Sequence, residues 1–394
     1  MKKSIPTVAA LALVLAGCVS NDSGSDSDGT QASAQRLNVT ITDDTCDVSA
    51  SEVKSGKVVF TLENKGPAKN EFEILAEDKL RIVGERENLG PGTTVEYTVV
   101  LEPGTYYTAC KKNMVGSLVG DKEFTVTDSG EKIEVSDDDK KLQDDAVEKY
   151  TAYIRDQSGQ LLDATKSFAE AYKSGDVETA KNSYAAARMH YERIEPTAEA
   201  FGDLDPALDE READWQEADD NETREWTGWH VAEKDLWRPE GYEGLSDEER
   251  TKVADDLVAN TQKLYDLVYS DDFSVSLDDI SNGAIALLEE VATTKITGEE
   301  EAFSHTDLWD FQANLEGAQV AFGNVEPIAE KNDPDLAKEI NSKITDLQGE
   351  LDQYREGDGF VSYDTLDEAQ RKALSDKVNA LRRPLAKLTE AILK

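Results

Sequence analysis

The stretch SGEKIEVSDDDKK, Ser129 to Lys141, is where this chain changes its period. Before it, from Arg36 to Thr127, the sequence runs in short segments rich in Val, Thr, Tyr and Phe: LNVTIT, KVVFTLEN, NEFEILA, LRIVGER, TTVEYTVVL, GTYYTAC and KEFTVT. Gly66-Pro67, Gly90-Pro91-Gly92 and Pro103-Gly104 lie between them and are strong turn signals. Seven such runs in so short a span predict an antiparallel β-sandwich over 36–127. After the stretch, apolar residues recur at helical spacing. Helices are predicted near 146–173, 176–201, 205–218, 221–237, 246–269, 278–296, 305–331, 335–353 and 365–393. The reading is therefore a two-domain chain: a sandwich, a charged linker over 128–145, and an all-α helical-bundle domain over 146–394. A length of 394 residues agrees, because single cores usually stop growing near ~250 residues.

Ahead of the sandwich, MKKSIPTVAALALVLAGC joins Lys2 and Lys3 to an apolar run too short to span a bilayer. The run ends in Leu15-Ala16-Gly17-Cys18, which resembles a bacterial lipoprotein signal over 1–18 with Cys18 as the lipidated residue. The next segment, 19–35, is rich in Ser, Asp and Gly and reads as a flexible tether. The predicted location is extracytoplasmic, at the outer face of the cytoplasmic membrane, with the lipid as the membrane contact. Lys and Arg number 42 against 83 Asp and Glu, a net charge of -41. That balance argues against nucleic acid and anionic membrane surfaces as partners and favours cations. Most of this acidity reads as solvated surface.

TGWHVAEKDLW, Thr227 to Trp237, holds one of the chain's three histidines. His230 and Glu233 stand three apart, so on a helix they share one face. The pair alone is a weak signal in so glutamate-rich a chain. Glu192 and Glu195 repeat the same spacing, and Asp209 follows in the next helical segment. Inward carboxylates and one imidazole on separate helices form a familiar metal-site arrangement. A weak internal repeat sets YERIEPTAE, from Tyr191, beside FGNVEPIAE, from Phe322, with Asp205-Pro206 and Asp333-Pro334 following the two copies. The repeat implies an internal duplication, and Glu192 corresponds to Gly323, so only the first copy keeps the carboxylate pair.

The run from Ala187 to Trp237, with ARMHYERIEPTAEAF and WTGWHVAEKDLW, resembles the imelysin-like (M75) family. Leu287 to Ala318 resembles the second half of that family, and the whole chain after the signal is similar to the EfeO-type iron-uptake lipoproteins, whose sandwich domain is cupredoxin-like. The resemblance places the family's metal ligands on His230, Glu233, Glu192, Glu195 and Asp209, a hard to borderline set suited to Fe, Mn or Zn. Arg211, two residues after Asp209, either holds a carboxylate in position or is an exposed arginine. His305, in Ser304-His305-Thr306, reads as a structural histidine beside a helix cap, and His190 faces away from the site.

In the sandwich, Cys46 and Cys110 are either a disulfide or, with Glu71 by resemblance and Met114, a site for copper or another transition ion. A blue-copper centre is excluded, because the first histidine of the chain is His190. The functional expectation is capture of iron, Fe2+ or Fe3+, for an EfeU-like membrane permease, with an EfeB-like haem peroxidase as a further partner. A metallopeptidase and a metal-independent cell-surface binding lipoprotein are the alternatives. The peptidase lacks its parts: a zincin needs His-Glu-x-x-His, and here Val231 and Lys234 stand at the glutamate and second histidine positions.

Overall fold

The computed structural model describes residues 35–77, 79, 82–114, 118–130, 136–202, 204–218, 221–271 and 273–394. The signal sequence, Cys18 and nearly all of the tether lie outside the described residues.

Among the described residues, nine strands form the first domain: β1 Gln35–Thr42, β2 Thr45–Val48, β3 Glu52–Lys54, β4 Gly56–Asn64, β5 Asn70–Leu75, β6 Ile82–Leu89, β7 Thr94–Leu101, β8 Gly104–Lys112 and β9 Val119–Thr127. Two sheets result, ordered β2-β1-β4-β7 and β3-β9-β8-β5-β6. The predicted runs match β1 and β4 to β9; β2 and β3 are too short to carry a period of their own. Most neighbours are antiparallel, but β1 runs parallel to β4 and β3 to β9, so the sheets are mixed. The cause is a chain that leaves the first sheet after β2 and lays β3 on the far edge of the second before returning as β4. Val39, Ile41, Phe60, Leu62, Phe72, Ile74 and Phe124 fill the space between the sheets.

Strand β5 is buried along its whole length. Alternation sends Phe72 and Ile74 into the sandwich core and Glu71 and Glu73 to the opposite face. A strand with two buried faces and carboxylates on one of them is unusual, and those carboxylates share Lys111.

The second domain holds α1 Asp137–Ser174, α2 Val177–Glu192, α3 Glu195–Glu199, α4 Leu204–Asp209, α5 Glu212–Glu217, α6 Trp229–Trp237, α7 Asp247–Val268, α8 Leu277–Thr293, α9 Asp307–Asn332, α10 Pro334–Leu351, α11 Glu368–Leu385 and α12 Leu388–Ile392. Helix α1 begins inside the stretch expected to be linker, because the Ser136 side chain caps the backbone N–H of Asp139 and starts the helix there. The expected helix over 176–201 is two helices. Pro196, in the first turn of α3, has no N–H to continue α2, so the axis breaks between Glu192 and Glu195. In the second repeat Pro327 lies within one unbroken α9. Residues 221–228 are turn and extended chain, not helix, and α6 starts only at Trp229.

Helix α8 faces the sandwich. The side-chain Oδ2 of Asp278 accepts the N–H of Val100 at 2.7 Å, Asn282 donates to the carbonyl of Thr98 at 3.0 Å, and Arg86 is ion-paired with Glu289. Among the described residues no helix is long and apolar enough to cross a membrane.

Candidate metal centre

Trp229 anchors the start of α6. Its ring is fully buried against Phe168 and Tyr184, at centroid distances of 5.0 and 5.8 Å. The preceding Gly228 has φ 93°, and a Cβ there would meet the carbonyl oxygen of Leu208 at 2.2 Å. That close approach brings the first turn of α6 against the end of α4, and so His230 against Asp209.

His230 is buried, and its two ring nitrogens have different neighbours. Nδ1 lies 3.1 Å from Oε2 of Glu233, while Nε2 lies 3.5 Å from Asp209 and 3.7 Å from Glu300 without a hydrogen bond. The other oxygen of Glu233 accepts the backbone N–H groups of Ser304, at 2.7 Å, and Phe303, at 2.9 Å. Burial and the charge of Arg188 oppose an imidazolium here. Glu233, Glu300 and Asp209 outweigh them and raise the pKa of His230 well above its usual value. Burial likewise opposes ionisation of Glu300, but Lys295, His230 and Arg211 hold its pKa well below the usual range.

Two buried cations organise the rest. Arg188 is completely enclosed and pairs with Glu192 and Asp209, with Glu301 at 2.6 Å and with Glu300 at 3.5 Å. A guanidinium suits this position because its fixed fork of donors serves several carboxylates at once. Lys295 follows α8 in a short 3-10 turn. Its ammonium lies 2.5 Å from Glu192 and 2.9 Å from Glu195. Asn314 of α9 donates to both of these glutamates, at 3.1 and 3.3 Å. Gly317, one turn further along α9, makes that approach possible, since a Cβ there would meet the carbonyl oxygen of Arg193 at 2.5 Å.

The residues expected to form the site thus converge, with changes of role. Glu192 and Glu195 are not on one helix face; they reach a common point from the two sides of the break at Arg193 and Ile194, and Lys295 stands between them. Asp209 lies beside His230 Nε2 but is also paired with Arg188. Arg211 does hold carboxylates, Asp214 at 2.6 Å and Glu300 at 3.6 Å. His190 points elsewhere, with Nδ1 3.0 Å from Gln157. At His305 the expected side-chain cap is absent: Thr306 makes no capping bond, and the Ser304 hydroxyl turns to Glu301 at 2.7 Å.

Sequence reasoning missed Arg188, Lys295, Glu300, Glu301, Asp310 and Asn314. Arg188 carried a signal, one helical turn before Glu192, and Glu299-Glu300-Glu301 is an acidic run inside the family-like segment. Nothing local marks Lys295. Asp310 has both carboxylate oxygens buried without a hydrogen bond, and burial, with Glu192 and Glu301 nearby, raises its pKa well above the usual value.

Of the two alternatives for the sandwich cysteines, a disulfide or a site for copper or another transition ion, the structure has the disulfide. Cys46 and Cys110 are joined in a disulfide, which consumes both thiols. Glu71 faces away from them, because Cys110 pairs with Phe72 in the ladder and Glu71 with the adjacent Lys111. Met114 accepts the N–H of Asn88 at its sulfur, at 3.3 Å, and lines a separate cleft. That cleft, about 90 Å³, is bordered by Glu87 and Met114 of the sandwich and by Glu199, Asp205, Asp209 and Glu300 of the helical domain. Asp209 and Glu300, the carboxylates beside His230 Nε2, thus line this cleft.

Comparison with known proteins gives the same outline. The imelysin family (peptidase M75) matches residues 146–388, and a cupredoxin-like domain matches residues 7–119. The "Iron uptake system component EfeO" of Escherichia coli O1:K1 / APEC is 37% identical over 359 residues, 91% of each chain. The proteins of the same name from Escherichia coli strain K12 and Shigella flexneri are 36% identical over the same length and share.

Proposed function

The chain belongs to the imelysin (M75) family, in the two-domain form shared with EfeO, and from that premise we propose that it captures iron outside the cytoplasmic membrane and passes it to a permease. Cys18 is the lipid attachment point in this reading, and 19–35 is the tether that lets the body reach its partners. Those partners are an EfeU-like permease and an EfeB-like haem peroxidase.

The observation that carries the reading is the orphaned Nε2 of His230. It is a buried nitrogen with no hydrogen bond among the described residues, turned toward Asp209 and Glu300, with potential ligand atoms of all three within 4.8 Å of one another. Buried polar atoms are rarely left unpaired without a function. As a ligand, His230 gives up the Nε2 proton when the ion binds and coordinates through that nitrogen, with Asp209 and Glu300 as the carboxylate partners. Glu233 then fixes the ring from the other side, the usual carboxylate–histidine–metal relay. One imidazole with carboxylates suits iron in either oxidation state. The acidic cleft between the domains supplies a path of the right charge for a cation.

A binding role fits better than hydrolysis. Lys234, at the position where a zincin has its second histidine, is ion-paired with Glu212. The test is metal content by mass spectrometry after equilibration with Fe2+ under anaerobic conditions and with chelated Fe3+. The wild-type chain retains iron and His230→Ala loses it; equal retention by both defeats the proposal.

A further inference from the structure

The ammonium of Lys295 occupies a position built like a metal site. Four carboxylates from four segments converge on it: Glu192 of α2 at 2.5 Å, Glu195 of α3 at 2.9 Å, Glu290 of α8 at 3.5 Å, and Glu300 at 3.9 Å. The lysine side chain has no exposed surface. Oxygens of Glu192, Glu195 and Asp209 lie within 4.8 Å of one another, close enough to share one ion. Asn314 adds a second observation: its Nδ2 serves Glu192 and Glu195, while its fully buried Oδ1 has no hydrogen-bond partner among the described residues. A half-turn of that amide presents an oxygen ligand to the same point.

This second position adjoins the first. Oε1 of Glu300 is 3.7 Å from His230 Nε2 and 3.9 Å from Lys295 Nζ, so one carboxylate borders both. Paired metal sites have this layout, with a carboxylate between two cations. Here one of the two cations is covalently part of the chain.

We propose that Lys295 is a tethered cation standing in place of a second metal ion, and that it sets the centre's capacity at one ion. This rests on the reading of His230, Asp209 and Glu300 as the cargo site. The ammonium neutralises Glu192 and Glu195 without being exchangeable. The single cargo ion therefore meets fewer free carboxylates than the cluster contains, which keeps its affinity low enough for release.

The experiment is a titration of the full chain with Mn2+ and, anaerobically, Fe2+, with bound ions counted by native mass spectrometry. Lys295→Ala is expected to bind one ion more than wild type, and Lys295→Ala combined with Glu195→Gln to lose that extra ion. Should Lys295→Ala not fold, Glu195→Gln alone decides: the ion count of wild type is expected, and loss of an ion shows that Glu195 is a cargo ligand and overturns the proposal. A folded Lys295→Ala with the wild-type count also overturns it, while leaving the cargo site intact. A wild-type chain that binds no ion overturns both.

Discussion

Nδ1 of His230 lies 3.1 Å from Oε2 of Glu233, one turn along the same helix, and Nε2 is thereby turned toward Asp209. Glu233 is itself held by two backbone N–H groups of the segment before α9. The ring's orientation therefore depends on a carboxylate that need not touch the ion. Glu233→Gln is expected to weaken iron binding roughly 10–100-fold, the usual cost of losing such a partner, and His230→Ala to weaken it more. Competition against a chelator of known affinity measures both. Equal losses for the two variants would make Glu233 a direct ligand.

Gly228 sets the distance between α4 and α6. Its φ of 93°, and the 2.2 Å that would separate a Cβ from the carbonyl oxygen of Leu208, leave no room for a side chain. Gly228→Ala is expected to destabilise the protein by about 1–3 kcal/mol, the range for a strained backbone position, and to weaken iron binding as Asp209 moves from His230. Thermal unfolding and the same chelator competition test this. A variant as stable as wild type would show that the backbone relaxes freely there.

The Cys46–Cys110 disulfide closes a loop across 64 positions of the sandwich. Its removal is expected to cost about 2–4 kcal/mol, because the unfolded domain gains the freedom the bond denies it. Cys46→Ala with Cys110→Ala should therefore lower the unfolding midpoint in denaturant and leave iron bound at the helical domain. Thiol counting of the denatured wild-type chain, prepared without reductant, should find neither cysteine free.

Much of this architecture was legible in the sequence because it rests on period. Val, Thr and aromatic runs between turns marked the sandwich strands, and apolar spacing marked the helices. The errors lie where a single local event outweighs period: the cap at Ser136 that lengthens α1, and the break at Arg193 and Ile194 that parts Glu192 from Glu195. Short strands such as β3 have too few residues to show alternation. At the site, residue types with metal chemistry stand out, so His230, Glu233, Glu192, Glu195 and Asp209 were singled out, and the fold places them in one buried cluster. Arg188 and Lys295 were not, since a cation in an acidic chain reads as surface until the fold shows it enclosed by carboxylates.

The seam between the domains should make the protein less stable as pH rises. Burial, with Glu87 and Glu73 nearby, lifts the pKa of Glu85 to about 8; burial lifts Asp205 to about 7 and, with Asp279, Asp278 to about 6. In the unfolded chain these groups titrate near ~4. Between the two values the folded protein holds protons that the unfolded chain has released, so the contribution is fully present below about pH 4 and is lost progressively above it, until pH passes about 6 for Asp278, about 7 for Asp205 and about 8 for Glu85. Glu233 acts in the opposite sense, because its lowered pKa adds stability above the usual carboxylate range, but that contribution is already complete by pH 6. From pH 6 to 8 the unfolding temperature of the metal-free protein is therefore expected to fall. Glu85→Gln, which cannot ionise, should recover about 1–2 kcal/mol at pH 8 and little at pH 5, a discount on the full shift because neighbouring carboxyls share the released charge. Calorimetric scans of wild type and variant across that range decide the matter: parallel curves would mean that Glu85 does not hold its proton in the folded state.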